Sequence, residues 1–320
     1  MQQTIEAPRA GPRFHTFVFV GTLLGVGLAM LAARWLGWEA FAVVLCFVAV
    51  VVPVVVVRLN RRRFEDQVAD EMRALLALPH TAPASSTDVA LPAPVARYRE
   101  LAVRGRVPVR TLRLSHGGTF RMSVRDKARP IRGAQLFTVD PPGFVWTGRV
   151  RLGPGLWVDV RDMSVSGQGS MLVLLDDTIP IADARGPELD QGSALRLLAE
   201  MPWYPTALFD TRTVRWTAID ATHARATLDH GNGEVSGVFE FGADGLPLRM
   251  TAQRYSDGGI LRPWSGVYRD WRTVSGMRVP FEAEVSWQLE TGPFVYAHWR
   301  VESMEHDETR EDTRAPPREA

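Results

Sequence analysis

Apolar and polar residues alternate along most of the chain after residue 109, and this period of two restricts the fold more than any other feature. The clearest run is Phe281, Ala283, Val285, Trp287 and Leu289. Successive side chains of a strand point to opposite faces, so the pattern predicts strands with one buried face. Turn sequences such as Gly231-Asn232-Gly233 and Asp244-Gly245 recur between these strands and predict antiparallel hairpins. The fold is therefore predicted to be mainly β, with a large curved antiparallel sheet or open barrel over residues 91–304.

Residues 187–208 interrupt this pattern and predict one central helix inserted into the sheet. Its apolar residues recur at intervals of three, at Leu195, Leu198 and Met201. Asp190 or Ser193 is expected to cap its start, and Pro202 and Pro205 end it. A single helix with an apolar face must bury that face against the sheet, so we expect a lid or plug.

Two uncharged apolar runs, residues 14–33 and 40–57, precede the β-patterned region. Each is long enough to cross a hydrocarbon layer of ~30 Å, so residues 1–63 are predicted to form a two-helix transmembrane hairpin. A signal peptide fits less well, because the first run is long and a second follows. Arginines flank the outer ends of both runs, at 9, 13, 58 and 61–63. The positive-inside rule then predicts a bacterial inner-membrane protein whose β-rich domain is cytoplasmic.

The remaining segments are assigned from composition. Residues 64–90 are predicted to hold an amphipathic helix, Phe64 to Leu78, followed by a Pro- and Ser-containing linker. Residues 94–103 predict a further short helix. Residues 305–320 are charged and lack aromatic residues, which predicts a disordered tail.

Charge and cysteine content exclude several classes of function. Residues 1–63 carry seven Arg and two Glu, whereas the rest of the chain carries 30 basic and 34 acidic residues. A folded domain without excess positive charge does not have the composition of a nucleic-acid binder. Cys46 is the single cysteine, so neither a disulfide framework nor a cysteine-based zinc site is predicted.

No residue pattern identifies a reaction. The seven histidines have no metal-binding spacing, and no cofactor or metal is expected. His116 precedes Gly117-Gly118 and is interpreted as a turn residue. Glu200 lies at the end of the central helix beside Trp203, where burial would raise its pKa. We favour a structural role for it, as the partner of Arg196 or Arg254, over catalysis.

Eight of the ten tryptophans follow residue 140, and such large aromatic side chains either fill a core or line an apolar cavity. If there is a cavity, its predicted ligand-binding residues are Trp146, Trp203, Trp264, Trp287, Leu195, Leu198, Met201, Glu200 and Arg254.

Several motifs resemble an uncharacterised prokaryotic domain family across residues 91–304. They are Leu91-Pro92, residues 141–146 (PPGFVW), 167–169 (GQG) and 198–205 (LAEMPWYP), Trp264 with Gly266, residues 276–280 (GMRVP), and Trp287. The family has no assigned activity, so the resemblance implies no catalytic residue. The layout of strands around one helix is similar to that of lipoprotein carriers, whose curved sheet wraps an apolar cavity.

Three functions remain open from the sequence. The first is a membrane-tethered module, with the lipid bilayer as a partner, that binds an apolar small molecule or acyl chain on the concave face of the sheet. The second is a hydrolase or isomerase that uses Glu200. The third is a structural or partner-binding domain with a filled core. An open cavity would favour the first over the third.

Overall fold

The computed structural model describes residues 27, 30, 37–79, 90–105 and 108–308. The chain divides into two compact units, residues 1–66 and 67–320. The first α-helix, α1 (Trp38–Leu76), begins in the first unit and ends in the second. By length and composition, Ala42–Leu76 is the one helix among the described residues able to cross a membrane. The predicted first span lies outside the described residues apart from Gly27 and Met30, so the hairpin stays a prediction.

Among its described residues, the second unit contains two further α-helices, α2 (Ala93–Ala102) and α3 (Pro187–Glu200). Short 3₁₀ helices cover Met201–Trp203, Pro205–Phe209 and Asp257–Gly259. The described strands are β1 (Val109–Phe120), β2 (Arg129–Thr138), β3 (Gly143–Gly153), β4 (Leu156–Val165), β5 (Gln168–Leu175), β6 (Ile179–Arg185), β7 (Val214–Ala218), β8 (His223–Asp229), β9 (Glu234–Phe241), β10 (Pro247–Ser256), β11 (Ile260–Val274), β12 (Met277–Leu289) and β13 (Gly292–Glu308).

In the described part of the chain, all thirteen strands form one curved, open antiparallel sheet. Their order is β6-β5-β4-β3-β2-β1-β13-β12-β11-β10-β9-β8-β7, so β6 and β7 are the edges. The sheet consists of two meanders, β1 to β6 and β7 to β13, joined at its centre where β1 pairs with β13. The prediction of a mainly β fold with a large antiparallel sheet and one inserted helix is confirmed.

Helix α3 connects the two edge strands and lies inside the curve of the sheet, packed against β5, β9 and β10. Its start differs from the prediction, because Gly186 occupies the N-cap position and Pro187 the first turn, where the missing N–H of proline costs nothing. Asp190 instead accepts a hydrogen bond from the backbone N–H of Gly169 at 2.6 Å.

Two strand ends and one whole strand also differ from the sequence pattern. β1 ends at Phe120 although the apolar alternation continues through Met122 and Val124, because the guanidinium of Arg121 bonds the carbonyls of Val124 and Asp126 and closes a hairpin loop. Strand β6 was not predicted. It contains Pro180, whose missing N–H donor is tolerated because β6 lies at the edge of the sheet. β13 continues to Glu308, beyond the predicted start of the tail at residue 305, because it pairs with β1 as far as Val109. The rest of the predicted tail lies outside the described residues.

Within the second unit, the last turns of α1 cover part of the convex face of the sheet. Glu71 forms an ion pair with Arg161 on β4, with Oε2 and Nε 3.2 Å apart. Leu75 lies against Gly143 at the start of β3. Leu136 and Val145, paired across β2 and β3, are fully buried on this face.

Candidate ligand-binding cavity

A cavity of about 1300 Å³ lies on the concave side of the sheet and opens to solvent. It exceeds the ~300–1,000 Å³ typical of small-molecule sites. Its walls are mainly apolar and aromatic, and the side chains of the sheet do not fill it. The alternating face of β12 contributes Ala283, Val285, Trp287 and Leu289 to the lining.

Six of the nine predicted ligand-binding residues line this cavity: Trp146, Trp203, Trp264, Trp287, Glu200 and Arg254. Leu195, Leu198 and Met201 do not line it. Each of these three is at most 2% exposed in the hydrophobic core, because their face of α3 is turned toward the sheet and not toward the open space. The helix face that lines the cavity carries Arg196, Ala199 and Glu200 instead. Contact of any of the nine with a ligand stays a prediction.

Arg196 is the centre of a buried polar cluster in the cavity wall. Its Nε donates to Glu200 Oε1 at 2.8 Å, its Nη1 to Asp162 Oδ2 at 2.7 Å and its Nη2 to Gln135 Oε1 at 3.0 Å. Gln135 donates in turn to Glu200 Oε2 at 2.8 Å. The guanidinium also lies 4.8 Å from the ring centre of Trp146. Every donor group of this arginine is therefore directed at an acceptor or an aromatic face.

The register of the sheet explains how the cluster assembles. Gln135, Trp146 and Asp162 are direct neighbours across β2, β3 and β4, and therefore share one face. Asp159 is three residues from Asp162 on the same strand, faces the opposite side, and pairs with Arg149. The two carboxylates therefore lie on opposite faces of the sheet and do not act together.

Burial raises the pKa of the Glu200 carboxyl, and Arg196 opposes this shift. Both carboxylate oxygens accept hydrogen bonds from neighbouring side chains. This geometry is that of a structural partner, as favoured from the sequence. Among the described residues, no group of three or more His, Cys, Asp or Glu is placed to hold a metal ion.

His116 and Trp146 form a second buried pair beside Arg196. The indole N–H of Trp146 donates to His116 Nε2 at 2.8 Å. Burial lowers the pKa of His116 to about 4, with a further lowering from the charge of Arg196. His116 lies within β1 and is not a turn residue as predicted from Gly117-Gly118. Gly118 is needed because a Cβ at this position would lie 1.9 Å from the His298 carbonyl oxygen of β13.

A third group lies near the opening of the cavity. The guanidinium carbon of Arg254 is 5.1 Å from the ring centre of Trp264 and 5.8 Å from that of Trp287. Arg262 is the direct neighbour of Arg254 across β10 and β11, and both arginines line the cavity. Arg254 was predicted from the sequence to line the cavity, whereas Arg262 and Tyr296, which also line it, were not.

The cavity opens between three hairpin tips, which we call the mouth tips: residues 121–128, 257–259 and 290–291. Residues of all three line the cavity. Large apolar side chains at or beside these tips are about half exposed, namely Met122, Val124, Ile260 and Leu261. Arg125 and Lys127 are exposed on the first tip.

The family of unknown function DUF6544 matches residues 83–299. The chain belongs to the DUF6544 family. This finding confirms the resemblance to an uncharacterised family. No curated protein matches this DUF6544 chain.

Two solved structures are similar to the DUF6544 protein. One is a LolA superfamily protein from Nitrosomonas europaea, at 12% identity and a TM-score of 0.34, with 69% of this chain and 96% of that chain covered. The other is a β-barrel-like protein of the domain of unknown function DUF1849 from Brucella abortus, at 8% identity and a TM-score of 0.29, with 63% of this chain and 100% of that chain covered.

Proposed function

We propose that this DUF6544 protein is a membrane-tethered module that binds an apolar ligand or acyl chain in the concavity of its sheet. The observation that carries the proposal is the open cavity of about 1300 Å³ with predominantly apolar and aromatic walls. Exposed apolar walls are costly in water, at roughly 25 cal/mol per Å², so an apolar occupant is stabilised there.

The side chains exposed on the mouth tips have the chemistry of a surface that binds a lipid bilayer. Half-exposed Met122 and Val124 stand beside Arg125 and Lys127 on one tip. Apolar side chains flanked by cations suit an interface with anionic lipid headgroups.

The tether in this proposal is the apolar hairpin of residues 14–57 in the bacterial inner membrane. The arginines at its outer ends support a cytoplasmic position for the β-rich domain in this proposal. Reporter fusions at about residue 90 test this topology. Fluorescence of a cytoplasmic reporter is expected, and alkaline phosphatase activity at that position would reverse the orientation.

Native mass spectrometry of the full-length chain, released from lipid nanodiscs, tests ligand binding. We expect bound lipid or fatty acyl mass on the native protein and its loss in Ala283→Phe, which fills the cavity wall. Ala218→Phe makes the same change at an exposed position of β7 and should retain the bound mass. Protein without bound mass, whose tryptophan fluorescence is also unchanged by a brominated acyl probe, would refute the proposal.

A further inference from the structure

We propose that Arg254 and Arg262 form a site for the acidic headgroup, a carboxylate or phosphate, of an amphiphile whose chain occupies the cavity. The inference rests on the proposed function and specifies the class of ligand. It is carried by two arginines that share one face of the sheet inside an apolar cavity without a counterion among the described side chains.

The first observation is the pairing of like charges. Arg254 and Arg262 are directly opposite each other on β10 and β11. Residues in this relationship have Cβ atoms about 4.5–5.5 Å apart, and equal charges there are unfavourable. Neither arginine takes part in an ion pair with a described carboxylate, although Glu188 and Glu290 also line the cavity at exposed positions. An anion bound between the guanidinium groups removes this repulsion.

Arg196, which lines the same cavity, is a structural arginine whose charge is neutralised by its neighbours. That guanidinium is bonded to two carboxylates and an amide within 3.0 Å. Arg254 contacts instead the faces of Trp264 and Trp287, which hold the guanidinium but do not neutralise its charge. The contrast separates a structural arginine from one that is available to a ligand.

The donors around Arg254 point to an acceptor-rich ligand. Its buried Nε has no hydrogen-bond acceptor among the described residues. The hydroxyl oxygen of Tyr296 accepts from Trp264 Nε1 at 3.1 Å and lies 3.5 Å from Arg254 Nη1. The Tyr296 proton is therefore left to donate outward. Two guanidinium groups and a phenol supply the donors that carboxylate and phosphate oxygens bind.

The position of the site also fits an amphiphile. Arg254 and Arg262 lie two residues from the ends of their strands at the mouth, whereas Trp146 and Ala283 line deeper parts of the cavity. A ligand held by its head at the arginines places its chain against these apolar walls. The charged end then stays close to water.

The test uses the full-length chain held in an amphipathic polymer and two tryptophan-quenching probes, 9,10-dibromostearate and its methyl ester. The probes share one chain and differ in the charge of the head. We expect the carboxylate to bind at least about tenfold more tightly than the ester. In Arg254→Gln and Arg262→Gln the preference should fall to about twofold or less, with the affinity for the ester unchanged. Arg113→Gln, at an exposed position of β1, removes the same charge and should keep the preference.

The possible outcomes separate the two proposals. Equal binding of both probes by the native chain overturns the headgroup site and leaves the binding module intact. Binding of neither probe overturns the headgroup site and, together with the absence of bound lipid mass, refutes the binding module as well. Inorganic phosphate is tested as a competitor of 9,10-dibromostearate. If phosphate binds as tightly as the brominated carboxylate, the site is one for free anions, and the assignment to an amphiphile is overturned. Melting temperatures of the variants establish that each one is folded.

Discussion

Trp146 and His116 lie side by side with their rings almost parallel, at an interplanar angle of 3°, and the indole N–H donates to the imidazole Nε2. The imidazole must be neutral to accept this bond. The pair is therefore incompatible with protonation at Nε2, and its burial next to Arg196 lowers the pKa of His116 to about 4. A loss of stability in acid follows from this relationship.

Stability should decrease as the pH falls from about 6.5 to 4. In this range the unfolded chain protonates His116 and the folded protein does not, so unfolding is favoured by acid. The shift in the pKa of His116 lowers the free energy of unfolding by about 3 kcal/mol over the whole interval. This contribution of His116 does not change further below pH 4. Thermal unfolding of His116→Gln, which retains an acceptor for Trp146, should show a smaller acid loss than the native chain. His223→Gln, at the partly exposed start of β8, serves as the control, and an equal loss in both variants would contradict the assignment.

Gly148→Ala should destabilise the second unit by about 1–3 kcal/mol, because a Cβ there would lie 2.2 Å from Trp146 Cη2. The indole ring is held by His116 and cannot move without loss of the hydrogen bond. Gly153→Ala on the same strand places its Cβ where no atom lies within 4 Å, and should change stability by less than about 0.5 kcal/mol. Chemical unfolding monitored by near-ultraviolet circular dichroism distinguishes the two. Equal stabilities would show that the ring moves freely.

Substitution of Trp203 should mainly lower stability, whereas substitution of Trp287 should mainly weaken ligand binding. Trp203 is 5% exposed and donates to the Pro280 carbonyl at 3.0 Å, so Trp203→Ala should cost about 3–5 kcal/mol. Trp287 is only partly buried and lies on the cavity wall, so Trp287→Ala should cost less. We expect Trp287→Ala to weaken binding of 9,10-dibromostearate methyl ester, measured by quenching. Unchanged affinity in this variant would exclude Trp287 from the ligand contact.

A nitroxide on the first mouth tip should report contact with lipid. Val124 and Ile219 are both about half exposed, but Ile219 follows β7 at the opposite end of the sheet. In liposomes containing the full-length chain, a spin label at Val124 should be more accessible to oxygen than to a polar nickel reagent. The label at Ile219 should show the reverse order. The same accessibility ratio at both positions would contradict docking of the mouth on the bilayer.

The period of two predicted much of the sheet because its strands bury one face. It placed Ala283, Val285, Trp287 and Leu289 on a common side, and these residues do share the cavity wall. The pattern is less informative where a strand lies at an edge, as in β6 with its Pro180.

The face of α3 that lines the cavity was harder to predict, because the polar face of a helix is usually exposed to solvent. Leu195 and Leu198 were expected to face the ligand space, yet they are buried in the core, and the charged Arg196 and Glu200 line the cavity. Their charges are satisfied by residues far away in sequence, including Asp162 on β4. Only the register of β2, β3 and β4 brings these partners together, and local periodicity carries no information about it.

The pairing of the first strand with the last has a consequence for synthesis on the ribosome. Val109 of β1 finds its partner only when Glu308 of β13 has been made, roughly 200 residues later. At about 5–20 residues per second, this interval is on the order of 10–40 s. During it, β1 presents an unpaired edge at what will become the centre of the sheet, with Leu112 and Leu114 uncovered, and such edges invite pairing with other nascent chains. The need of the nascent chain for chaperones should therefore depend on the time between synthesis of the first and last strands, and not on formation of the many short hairpins.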